Sequence, residues 1–163
     1  MYTKRILMEG ITREFEILKH LGSKVTKKNA EFKLSEEQRS IEELEHYIVT
    51  SFPAQISLMV EGIRNLDKYM EKSQAITKFT WKRFVIELNK ALRAIKKEIR
   101  TVKGKARKEE VELWGRKGTR GSFLIDYVFT FLGAYKMQLF LQLKASGLTE
   151  LTTSNVRGGR DAA

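Results

Sequence analysis

The residues of this chain that could do chemistry are few: two histidines, no cysteine, and tyrosines and carboxylates set among 31 lysines and arginines. Without a thiol there are no disulfides, thiolate metal sites or cysteine nucleophiles. His46 lies beside Glu43 and Glu45, the raw material of a histidine–carboxylate metal set. On a helix, however, it is rotated about 100° from Tyr47 and away from the apolar stripe through Leu44 and Ile48, so it reads as a surface histidine. His20 falls in the last turn of a helix, where a partly cationic imidazole interacts favourably with the dipole. Neither histidine has a Ser, Cys or Asp arrangement beside it that would make a triad, so nucleophilic catalysis finds no support.

The formal charge of +11 suits anionic partners, whether nucleic acid, acidic protein or phosphate-bearing ligands. Much of the excess lies between residues 96 and 120, where Lys96, Lys97, Arg100, Lys103, Arg107 and Lys108 are the candidate anion-binding residues. A solvated basic face is the simpler reading of the same run. Trp114 is the one aromatic residue interleaved with it, and neither a helix-turn-helix nor a stacking platform is recognisable.

Four helical segments must position these residues. The first runs from about Tyr2 to Leu21, with Leu7, Ile11, Phe15 and Leu18 at three- and four-residue steps and Gly22 to end it. After a basic linker, Ser40 and Glu43 form a capping box that starts the second helix. Its stripe of Ile41, Leu44, Ile48, Phe52, Ile56, Met59 and Ile63 keeps phase through Pro53, which predicts a kink rather than a break. Thr80 caps the third, where Trp81, Val85, Leu88, Leu92, Ile95, Ile99 and Val102 have the spacing of packed antiparallel helices. Gly104 to Gly118 is a long polar connection pinned by Val111, Leu113 and Trp114. The fourth helix, about Gly121 to Ser146 with Gly147 as its stop, is apolar around most of its circumference and should be the most buried.

The fold class is therefore all-α, a four-helix bundle over residues 1–151, with 152–163 as a flexible tail. The start, Met1 to Glu9, reads as a helix rather than a signal peptide, which suggests the cytoplasm. The apolar stretch from Val128 to Leu143 contains Lys136 and Gln138 and falls short of the roughly 20 residues a membrane span needs.

The order of elements, the Ser-Ile-Glu-Glu-Leu start of the second helix (Ser40 to Leu44) and the run from Gln138 to Gly147 together resemble the DinB/YfiT-like bundle family over nearly the whole chain. The resemblance implies a site where three histidines hold nickel or zinc, used by some members for transferase or isomerase chemistry with low-molecular-weight thiols. Two of those histidines are four residues apart on the last helix, before a short stretch ending in Gly-Gln. Phe131 and Tyr135 stand there in this chain, and Met137 replaces the glycine before Gln138. The third lies seven residues after the capping serine, at Tyr47. The ligand set thus reads as lost, and no cofactor is expected.

Two readings of the replacements remain open. Tyr47, Phe131 and Tyr135 fill the former site with packed rings. Alternatively the phenols, Gln138 and Asp126 line a cleft for a small molecule. The leading expectation is a metal-free DinB-like domain that binds a small molecule or a protein. The alternatives are a metal-dependent thiol transferase built on His46 and its carboxylate neighbours, and a nucleic-acid binder using the basic face. A homodimer follows from the resemblance and from the surplus apolar surface of the fourth helix.

Overall fold

The computed structural model describes residues 4–61, 71, 74, 76, 78–113 and 115–162. Helix α1 spans Lys4–Gly22, α2 Ile41–Glu61, α3 Phe84–Thr101 and α4 Arg120–Ala145. Their stripes are the predicted ones with two changes. Val85 is exposed and Phe84 is fully buried in its place, because the phase set by Leu88, Leu92, Ile95 and Ile99 runs back to 84. Ile63 lies outside the described residues.

The capping box is formed as predicted. The Glu43 N–H donates to Ser40 Oγ at 3.2 Å, and the Ser40 N–H donates to Glu43 Oε2 at 2.7 Å. Helix α2 continues through Pro53. Thr80 makes no side-chain cap; a 3-10 turn at Trp81–Arg83 precedes α3, and the Trp81 N–H donates instead to Glu42 Oε2 at 2.7 Å. That start is held from a neighbouring helix, which local sequence does not reveal.

The same contact fixes helix direction. Trp81 meets Glu42 near one end of the bundle and Ser57 Oγ donates to Glu98 Oε1 at 3.1 Å further along, so α2 and α3 run parallel. Lys4 Nζ donates to the Arg100 carbonyl at 2.9 Å, which sets α1 antiparallel to α3. Arg120 donates to the Val60 carbonyl at 2.9 Å and Gln142 Nε2 to the Arg39 carbonyl at 2.8 Å, which sets α4 antiparallel to α2. The antiparallel spacing read for the third helix thus holds against α1 but not against α2.

The α3–α4 connection holds structure that its polarity hides. A helical turn at Gly104–Arg107 leads into an antiparallel hairpin, β1 (Glu110–Leu113) with β2 (Arg116–Thr119), in the register Glu110 opposite Thr119 and Leu113 opposite Arg116. Gly115 adopts φ 73° in its turn, a conformation that suits glycine. Val111 packs on the core as predicted, whereas Trp114 lies outside the described residues. Thr119 Oγ1 accepts from the Ser122 N–H at 3.1 Å and caps α4.

Two expectations are corrected. Helix α2, not α4, is the most enclosed, since Phe129, Met137 and Leu141 of α4 are exposed. Residues 152–162 are not a loose tail: Asn155 and Val156 are buried, and a π-type turn at Ser154–Gly158 packs on α1. Asn155 Nδ2 donates to Asp161 Oδ1 at 3.0 Å and sits 3.0 Å from His20 Nε2, while Lys24 Nζ pairs with Asp161 at 2.7 Å. His20 is therefore a docking residue. Burial, then the Lys24 charge, lower its pKa against the pull of Asp161, which favours the neutral ring over the partly cationic one expected from the helix dipole.

Candidate functional site

Tyr127, Phe131 and Tyr135 follow at four-residue steps on α4 and therefore share one face. That face meets Tyr47 and Phe52 of α2. Ring centroids are 4.3 Å apart for Phe131 and Tyr135, 5.1 Å for Tyr47 and Tyr135, 5.8 Å for Tyr47 and Phe131, and 5.0 Å for Phe52 and Phe131. The offset and tilted arrangements are those that aromatic quadrupoles favour. Phe131 is only 5% exposed, and Phe15 of α1 extends the cluster through Phe52. The Arg39 guanidinium lies 4.0 Å over the outer face of Tyr47, a cation–π contact at the cluster's edge.

Burial, and after it the neighbouring Tyr47 phenol, push the Tyr135 phenol up to about 12, with the Arg39 charge opposing. Tyr135 is thus a neutral hydroxyl at physiological pH and can supply neither a phenolate ligand nor a general base there. With a phenyl ring and two phenols at its three positions, the histidine triad implied by the resemblance has no imidazole donor, and these residues do not fit a nickel or zinc ion.

His46 does not replace them. It is half-buried rather than a surface side chain, because the chain after α2 returns to cover it. Its Nε2 lies 2.7 Å from the Ile76 carbonyl, which can only accept, so that nitrogen carries the proton; the ring stacks on Phe79 at 5.0 Å. Glu43 is committed to Ser40 and lies 3.4 Å from Lys33. Glu45 points into the bundle instead, its Oε1 3.2 Å from where Gly22 would carry a Cβ. Glu45 is 0% exposed, and its two oxygens have no hydrogen-bond partner among the described residues. Burial, then Glu42, hold its carboxyl well above the usual range, which favours the neutral acid. The three groups diverge, and among the described residues no three His, Cys, Asp or Glu side chains gather as a metal site would need.

Of the five pocket candidates, the structure brings together Tyr47, Phe131 and Tyr135. Gln138 is half-buried and lines a shallow depression of about 510 Å³ with Arg39, Met137 and Leu141. Tyr47 opens on a neighbouring depression of about 420 Å³ with Arg39, Lys33 and His46. Asp126 is not part of either: it is exposed and ion-paired to Arg116 of the hairpin at 3.0 Å. Sequence reasoning missed Phe52, Tyr127 and Arg39. Tyr127 could have been found by extending the four-residue step back from Phe131; Arg39 has no such signal.

The basic candidates do not form one surface. Lys96 and Arg100 border a shallow groove with Arg5 and Arg13, where Glu9 and Glu16 dilute the charge. Lys97 and Lys103 are simply exposed. Arg107 and Lys108 border a different space, a cavity of about 590 Å³ where the ends of α1, α3 and α4 meet, walled by Leu7, Ile99, Val102, Leu124 and Ile125.

No protein-family model matches the sequence, and no curated protein is significantly similar to it. Among solved structures, the chain is similar to a DinB-like protein from Bacillus subtilis, with a TM-score of 0.69 and 21% identity over 89% of this chain and 94% of that one. The bundle therefore has the DinB-like fold, as the helix order and the second- and fourth-helix motifs implied. None of the described helices is long and apolar enough to cross a membrane.

Proposed function

We propose that this chain is a cytoplasmic, metal-free DinB-like domain that acts by binding a small molecule or a protein partner. The observation that carries the reading is the stack of Tyr47, Phe131 and Tyr135, whose centroids lie 4.3–5.8 Å apart at the positions where the resemblance calls for metal ligands. Rings at that spacing fill the volume a metal, its water and a thiol substrate would need. A thiol transferase would require a different ligand set, and His46, Glu43 and Glu45 face three different neighbours.

The test is the metal content of untagged protein purified without chelator. The reading expects folded protein with well under one nickel, zinc or iron per chain. Near-stoichiometric metal would overturn it and restore the transferase alternative. Nucleic-acid binding ranks lower, because Glu9 and Glu16 interrupt the basic surface beside Lys96 and Arg100; binding that falls steeply with salt would revive it. Self-association belongs to the same proposal, through the exposed α4 face that includes Met137 and Leu141. A monomeric mass by light scattering at micromolar concentration would remove that part.

A further inference from the structure

We infer that the cavity between the ends of α1, α3 and α4 binds a single-chain organic anion, with the apolar chain inside and the anionic head at the rim. At about 590 Å³ it has the size of a small-molecule site. Leu7, Ile99, Leu124 and Ile125 make its walls aliphatic. A purely polar ligand would lose its hydration against them without compensation, which also disfavours a nucleic-acid backbone.

The rim is cationic. Lys4, Lys105, Arg107 and Lys108 border the cavity, no carboxylate does so among the described residues, and none of the four forms an ion pair there. Glu109, next in the chain, is spent on Arg120 at 2.7 Å. Lys4 alone is partly committed, to the Arg100 carbonyl.

Arg107 supplies a second, independent observation. Its Nε is buried and has no acceptor among the described residues, an arrangement that costs free energy unless an acceptor reaches that nitrogen. One glycine lets its backbone lie there: a Cβ on Gly121 would come within 3.0 Å of the Arg107 carbonyl oxygen. A planar guanidinium fork beside two lysines suits a carboxylate or a phosphate monoester.

This site is separate from the aromatic cluster: Leu124 and Phe131 are about 10 Å apart along the α4 axis at 1.5 Å per residue. Its test reads independently of metal content. The full-length chain is titrated calorimetrically with dodecanoate, dodecyl phosphate and dodecyltrimethylammonium, each below its micelle concentration. The proposal expects saturable one-to-one binding of at least one anion and none of the cation; the tighter anion identifies the head group. Lys108→Glu, an exposed change, and Arg107→Met should each weaken the anion by about tenfold or more, and Ile125→Trp should do the same by filling the cavity. Thermal melts establish that each variant is folded. Equal binding of cation and anion, no saturable anion binding to wild type, or unchanged affinity in folded Lys108→Glu and Ile125→Trp would overturn the proposal. Anion binding by a protein that proves to carry metal would sink only the metal-free reading, and metal-free protein that ignores all three probes would sink only this one.

Discussion

Around Phe131, rings from α2 and α4 meet with centroids 4.3–5.8 Å apart; two turns earlier on α4, around Leu124, the inward side chains shorten to leucine and isoleucine and about 590 Å³ stays open. The two regions also differ in charge. Among the described residues, Arg39 is the cation stacked on a ring of the closed one, while the open one is bordered by four cations. Along the same helices, side-chain volume is thus distributed so that one position is packed with rings and another is left open. Residue type at the positions the resemblance singles out speaks to the packed region and not to the open one.

The sharpest way to test that contrast is truncation at both places. Phe131→Ala should cost about 3–5 kcal/mol in urea unfolding, because it opens a cavity in a filled cluster. Ile125→Ala, which enlarges a space already present, should cost about 1 kcal/mol or less. Similar losses at the two positions would erase the distinction.

Glu45 is the flaw in the closed half of the molecule. Its carboxyl is raised above its unfolded value, so between the unfolded value near 4.5 and the folded one the native state binds the extra proton, and stability falls as pH rises. Glu45→Met should raise the midpoint of thermal unfolding at pH 7.5 by about 3 °C or more. The gain should shrink as pH falls toward the unfolded value. A gain that does not change with pH would mean that packing, not protonation, is responsible.

Ser40 sets where α2 begins and so where Tyr47 faces. Ser40→Ala should lower stability by about 1 kcal/mol, with near-ultraviolet circular dichroism of the aromatic cluster intact. A collapse of that signal would show that the ring stack depends on the cap.

The sequence was most legible where one helix face decides the outcome. The stripes of α1 and α2 and the Ser40–Glu43 box follow from three- and four-residue spacing, while the meeting of Tyr47 with Phe131 and Tyr135 was implied by the family resemblance. It was least legible where the deciding partner is distant in the chain. Glu42 caps Trp81, Ile76 and Phe79 cover His46, and His20 anchors the C-terminal segment through Asn155. The hairpin hides behind charge, because a short exposed strand pair needs only Gly115 and a weak alternation through Val111. The end cavity could not be foreseen, since it is a property of three helix ends together.

The central claim, that ring packing has closed the position of a three-ligand metal site, is tested most directly by nickel titration of two proteins against a competing chelator. One is the wild type, the other a variant carrying Tyr47→His, Phe131→His and Tyr135→His. The account predicts no saturable nickel site in the wild type and one site per chain in the folded triple variant. A wild-type chain that binds one nickel as tightly as the variant would contradict it.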